Sequence, residues 1–158
     1  MANRLSKKHP IFVTFLLSVA AYYVYFIGTT ATSIRELSQA GSNAALILTA
    51  TSALTLIIMP VIHLLLMKKR KLGWMLCTIQ LFMSLFGKVF ALFTLGLAGF
   101  DPLALIVLAV QLLAAFLLFN SQVIMVYEVS SRDKAAAVVG AATLKVLLGT
   151  LIWFSGYY

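Results

Sequence analysis

Five stretches of almost uninterrupted apolar residues, separated by short polar segments, run along the chain over about 10–30, 44–67, 72–100, 102–127 and 135–158. A helix crossing a bilayer needs about 20 consecutive apolar residues, and each stretch reaches that length. The pattern predicts an all-α integral membrane protein, a single bundle of five transmembrane helices occupying 1–158 with no soluble domain. The polar segments carry matching stop and start signals. A turn over 31–43 ends at Asn43, a candidate N-cap; Pro60 predicts a kink in the second helix; Asp101 and Pro102 suit the N-cap and first helical position of the fourth. Ser130 with Asp133 forms a loose capping box before the fifth. The first stretch passes Tyr22, Tyr23 and Tyr25 without a small-residue cleavage site, so it reads as a retained anchor rather than a signal peptide. The last stretch begins with alanine and glycine, and four spans plus a C-terminal interfacial helix is the alternative. That alternative needs a wide polar face, for which Lys145 and two threonines are available.

Composition agrees with lipid as the solvent: 63% of the 158 residues are hydrophobic, 10% are charged and the mean hydropathy is +1.05. The net charge of +8 does not signal nucleic acid, because no separate basic domain exists to carry phosphate contacts. The basic residues lie instead at the ends of apolar stretches. With a cytoplasmic N-terminus, Arg4, Lys7, Lys8, Lys68, Lys69, Arg70, Lys71, Arg132 and Lys134 all fall inside and Arg35 falls outside, which predicts an N-in, C-out orientation. Lys68, Lys69, Arg70 and Lys71 are placed to meet anionic headgroups. The expected location is the bacterial inner (plasma) membrane. The single cysteine, Cys77, excludes an internal disulfide.

Catalytic signatures are absent: no paired carboxylates, no phosphate loop, no nucleophile elbow. The expectation is a protein without enzymatic activity or cofactor. His63 is a lone histidine near the end of the second stretch and predicts no metal site. Candidate chemistry concentrates in the apolar stretches. Lys88 stands near the middle of the third, where a lysine is costly and tends to mark a site. At helical spacing, Cys77, Gln80, Ser84 and Lys88 share one side, continued by Ala91 and Gly96. Gln111 enters the fourth stretch at a similar depth, which predicts a Gln111 to Lys88 contact. In the fifth, Ala137, Ala141, Lys145 and Gly149 recur every four residues, a small-residue face that lets another helix approach; Lys145 points into the bundle or snorkels to the cytoplasmic surface. Thr14, Ser18, Tyr22, Tyr25 and Thr29 on the first stretch, with Thr51, Ser52 and Thr55 on the second, complete a polar seam. No Asp or Glu lies inside any stretch. Lysines without a counter-ion favour an anionic group: a lipid phosphate, a substrate carboxylate, or an acidic residue lent by a partner.

The five-span N-in layout, Leu72-Gly73 after the basic turn, and the stretch from Tyr127 to Ala136 before the last span resemble the Yip1-type membrane domain over about half the chain. That resemblance implies a membrane-organising or trafficking role without catalysis and assigns no binding residue. Two functions stay open. One is an accessory or scaffold subunit that engages other membrane proteins, or copies of itself, through helix contacts. The other is a small carrier or binding protein for an anionic lipid or solute, with Lys88 and Lys145 as anchors and Gln111, Gln80, Ser84, Tyr22 and Thr55 as polar contacts.

Overall fold

The computed structural model describes residues 10–39, 43–96 and 102–155. Among these all regular structure is helical: α1 (Pro10–Gln39), α2 (Asn43–Met67), α3 (Lys71–Leu95), α4 (Pro102–Leu118), α5 (Ser121–Tyr127) and α6 (Ser131–Ser155). Four of them, α1, α2, α3 and α6, are long and apolar enough to cross a membrane. The pair α4 and α5 makes a fifth candidate if the two are one span bent by 65°. Large apolar side chains face outward from every long helix, with Phe93 86% exposed. In water such a surface would aggregate; against acyl chains it is solvated.

Helices α1, α2, α3 and α4 close a ring in which each packs against two neighbours, and α6 lies along the outer side of α3 with a lesser contact to α2. The third helix therefore touches α2, α4 and α6. Because lipid is as apolar as leucine, burying side chains between these helices gains packing but little hydrophobic driving force. Close approach and satisfied polar groups hold the bundle instead.

Both are concentrated at the end where the basic residues gather. The α2–α3 turn closes with Lys69 in the left-handed conformation at φ 54°. Its N–H donates to the Leu66 carbonyl at 2.9 Å and that of Arg70 reaches back to Leu65 at 2.9 Å, the paired bonds that end a helix in a Schellman turn. Gly73 then lets α3 lie directly on α2: a Cβ there would stand 2.7 Å from the Leu65 carbonyl carbon. Fully buried Trp74 donates its indole N–H to the Leu118 carbonyl at 3.0 Å. Tyr127, also buried, donates its hydroxyl to the Leu66 carbonyl at 3.0 Å. Trp74 thus satisfies a backbone acceptor that a helix end leaves open, a requirement that is strict where water is scarce, and Tyr127 adds a second donor to a carbonyl that Lys69 already reaches.

Four boundaries differ from the sequence expectation. Helix α1 does not stop near residue 30 but continues to Gln39. No Pro or Gly interrupts 31–39, and Thr29 and Thr32 return their hydroxyls to carbonyls one turn back, so the polar residues there do not break it. Asn43 is already helical rather than the cap of α2; the residues just before it lie outside the described residues. Helix α3 ends at Leu95 rather than near residue 100, because Gly96 turns the backbone to φ 67°. The fourth apolar stretch, expected as one helix over 102–127, is interrupted at Phe119 and Asn120. The Asn120 side chain accepts from the Gln122 N–H at 3.0 Å, a cap that competes with the helix, and the Leu118 carbonyl goes to Trp74.

As expected, Pro102 opens α4; Asp101, its expected cap, is not among the described residues. Asp133 accepts from the Ser130 N–H at 2.9 Å while Ser130 Oγ accepts from the Asp133 N–H at 3.2 Å, closing the capping box before α6. Lys71 meets Asp133 at 2.6 Å, which ties the start of α3 to the start of α6.

Candidate functional site

Halfway along the bundle the packing changes character, and the polar residues of the apolar stretches divide into two groups on either side of Ser84. The first group is closed. Gln111 is fully buried; its Oε1 accepts from Lys88 Nζ at 2.7 Å and its Nε2 donates to Ser84 Oγ at 2.8 Å. The ring of Tyr25 lies under the Lys88 ammonium, 5.6 Å from nitrogen to centroid, a cation–π contact that further stabilises the charge. One amide thereby joins α3 to α4 twice, and α1 covers the cation. Matched depth on antiparallel neighbours brings Lys88 and Gln111 together.

The second group is open. A cleft of about 570 Å³ lies between α2, α3 and α6, with Phe26 of α1 at its back. Its polar lining is Thr51, Ser52, Thr55, Gln80, Ser84 and Lys145, set among Leu54, Ile58, Met83 and Leu144. The volume is that of a small-ligand site. The geometry follows from α6. Near its start Ala137 and Ala141 are fully buried, so α6 packs tightly there. Further along, Gly149 has no neighbour within 4 Å of where its Cβ would be, so the small-residue face stops serving as a packing face past Lys145.

Lys145 crosses from α6 to α3. Its ammonium nitrogen lies 3.1 Å from where a Gly87 Cβ would stand; the missing side chain makes room for the charge. By helical rise Lys145 is about 21 Å along α6 and Gly87 about 24 Å along α3 from the basic end, so the side chain does not snorkel back to that end. Among the described residues it meets no carboxylate and makes no hydrogen bond. Lys88 and Lys145 therefore face different neighbours: Lys88 has Gln111 and Tyr25, while Lys145 faces the cleft.

The remaining candidates sort by which hydrogen is free. Ser84 accepts from Gln111, leaving its own O–H to point elsewhere. Thr55, expected as a ligand contact, donates to the Thr51 carbonyl at 2.8 Å, and Thr51 donates to Ile47 at 2.9 Å; both offer the cleft acceptor lone pairs and methyl groups rather than donors. Ser18 and Thr29 are likewise spent on their own helix, and Thr14 is exposed. Tyr22 is only 2% exposed and its hydroxyl faces Ser84, Gln80 and Gln111 without closing a hydrogen bond to any of them. A second cavity, of about 10 Å³, touches Tyr22, Tyr23, His63, Cys77 and Gln80. That is near the smallest space able to hold one water. Gln80 lines both cavities.

Sequence reasoning did not single out Gly87, Trp74 or Tyr127. The signal for Gly87 is a glycine beside an intramembrane lysine; for the aromatics it is a hydrogen-bond donor placed next to a helix break in an apolar chain. Among the described residues no group of three metal-ligating side chains is present. Comparison with family models, curated proteins and solved structures finds no match to this chain.

Proposed function

We propose that this is a non-catalytic membrane protein that holds an anionic lipid in the cleft between α2 and α6, with Lys145 as the charge anchor and its basic end in the cytoplasm. The observation that carries the reading is the lining of the cleft. It combines apolar walls fit for an acyl chain with an ammonium that meets no counter-charge among the described residues. An uncompensated ammonium at this depth is costly, and a bound anion offsets that cost. Lys145 and the Ser84 hydroxyl can donate to phosphate oxygens. Thr51 and Thr55 can accept from headgroup hydroxyls, so phosphatidylglycerol suits the lining. The orientation rests on Lys68, Lys69, Arg70, Lys71, Arg132 and Lys134 sharing one end.

The scaffold reading differs in what meets Lys145, an acidic side chain of another protein in place of a lipid. Native mass spectrometry of protein purified in mild detergent separates the two. The wild type and Lys88→Met should retain phosphatidylglycerol, and Lys145→Met should retain about tenfold less. Equal retention by all three contradicts the lipid site, and a protein whose acidic residue cross-links to Lys145 supports the accessory subunit.

A further inference from the structure

We infer that the cleft carries the anionic headgroup of its lipid from one leaflet to the other, Lys145 meeting it halfway. The inference rests on the lipid-binding reading above and adds a direction of movement to it.

A lipid at rest keeps its headgroup at the membrane surface, about 15 Å from the midplane of a hydrocarbon core about 30 Å thick. A protein that merely stores or senses an anionic lipid places its cation at that surface, as the run from Lys68 to Lys71 does. Lys145 lies elsewhere, about 21 Å along α6 and level with Gly87. An anion reaches that depth only when it has left its leaflet. A cation that lowers the cost of an anionic headgroup at that depth gives it a stopping place midway and so lowers the barrier to leaving either leaflet. Placing the cation beside a glycine on α3 holds it there.

The polar groups that line the cleft run from the basic side up to the level of the ammonium. Toward the basic end come Gln80, Tyr22 and then the small cavity beside His63 and Tyr23, where the hydroxyls of Tyr22 and Tyr23 are buried and unpartnered. By helical rise Ser52 and Thr51 of α2 line the cleft at about the level of the ammonium and of Gly87. A hydrated headgroup moving along α2 from the basic end thus meets Gln80, Thr55 and Ser84 before it reaches Lys145, while the acyl chain stays among Leu54, Ile58 and Leu144. Lys88, satisfied by Gln111, stays outside the route and stabilises the wall that Ser84 forms.

The test reconstitutes the full chain in phosphatidylcholine vesicles containing a trace of acyl-labelled fluorescent phosphatidylglycerol and follows bleaching by external dithionite. The wild type should expose the inner-leaflet reporter at least about tenfold faster than protein-free vesicles. Lys145→Met should fall to the protein-free rate, and Lys88→Met, if it inserts, should keep most of the wild-type rate. A phosphatidylcholine reporter should gain much less. Retention of phosphatidylglycerol in mass spectrometry without faster bleaching overturns transbilayer passage and leaves the binding site standing. Failure of both overturns the two together, and equal acceleration of both reporters that survives Lys145→Met overturns the role of Lys145. Circular dichroism of each reconstituted variant distinguishes loss of passage from loss of fold.

Discussion

The basic end and the middle of this bundle are built from similar apolar helices, yet they differ in how their polar groups are treated. At the basic end, Trp74 takes up the Leu118 carbonyl that the helix break frees, and Tyr127 adds a second donor to the Leu66 carbonyl. Among the described residues the two non-glycine residues with positive φ, Lys69 and Glu128, also lie there, each closing a turn by backbone bonds. Midway along, a buried tyrosine hydroxyl lacks a partner and a lysine faces a cleft. Polar groups without partners are expensive in a bilayer. Among the described residues the hydroxyls of Tyr22, Tyr23 and Thr49 lack partners away from the tight end, against Gln122 Oε1 at it, and the cleft opens beside the less closed part, which leaves room there for a guest.

Substitutions at the two places should separate those roles. The largest effect is expected from Gly73→Val. Its Cβ would press on the Leu65 and Leu66 backbone, which cannot swing away as a flexible side chain can. Overpacking of this kind should cost about 3 kcal/mol or more, read as a lower melting temperature in detergent through Trp74 fluorescence. A wild-type melting curve would show that α2 and α3 do not touch there.

Next comes Gln111→Leu, which strips Lys88 of its acceptor and Ser84 of its donor. Hydrogen bonds to charged groups contribute about 1.5–3 kcal/mol, so a loss of that size is expected. The double variant Lys88→Met/Gln111→Leu should regain much of it, because removing both partners leaves no stranded charge. Additive losses would argue that the two side chains do not interact. Neither change should remove lipid from the cleft, since Gln111 and Lys88 do not line it.

The smallest effect is expected from Asp133→Ala, which opens the capping box and breaks the pair with Lys71. Asp133→Asn should keep the cap and lose the ion pair, and high salt should reproduce its modest drop in melting temperature. An unchanged melting temperature in the alanine variant would mean that the cap does not contribute.

The helical bundle was legible in the sequence because a lipid-spanning helix leaves a long apolar signature, and the meeting of Lys88 with Gln111 followed from depth alone. What could not be read depends on relative rotation and spacing of helices. The break at Asn120 lies inside an apolar run without Pro or Gly; it requires Trp74 on another helix to take the Leu118 carbonyl. Lys145 alone did not reveal its direction, because the choice between snorkelling and crossing is made by Gly87, a residue on α3. Thr55 looked like a ligand contact by position, but its hydrogen is committed to its own helix. A seam of polar residues in sequence therefore resolved into a closed network and an open cleft once the helices were placed.

The decisive measurement is anomalous X-ray diffraction from crystals grown with phosphatidylglycerol brominated on its acyl chains. A bromine signal between α2 and α6, with phosphate density against the Lys145 ammonium at the level of Gly87, is the predicted result. Bromine confined to the outer faces of the helices, with phosphate only beside Lys68 to Lys71, would contradict it.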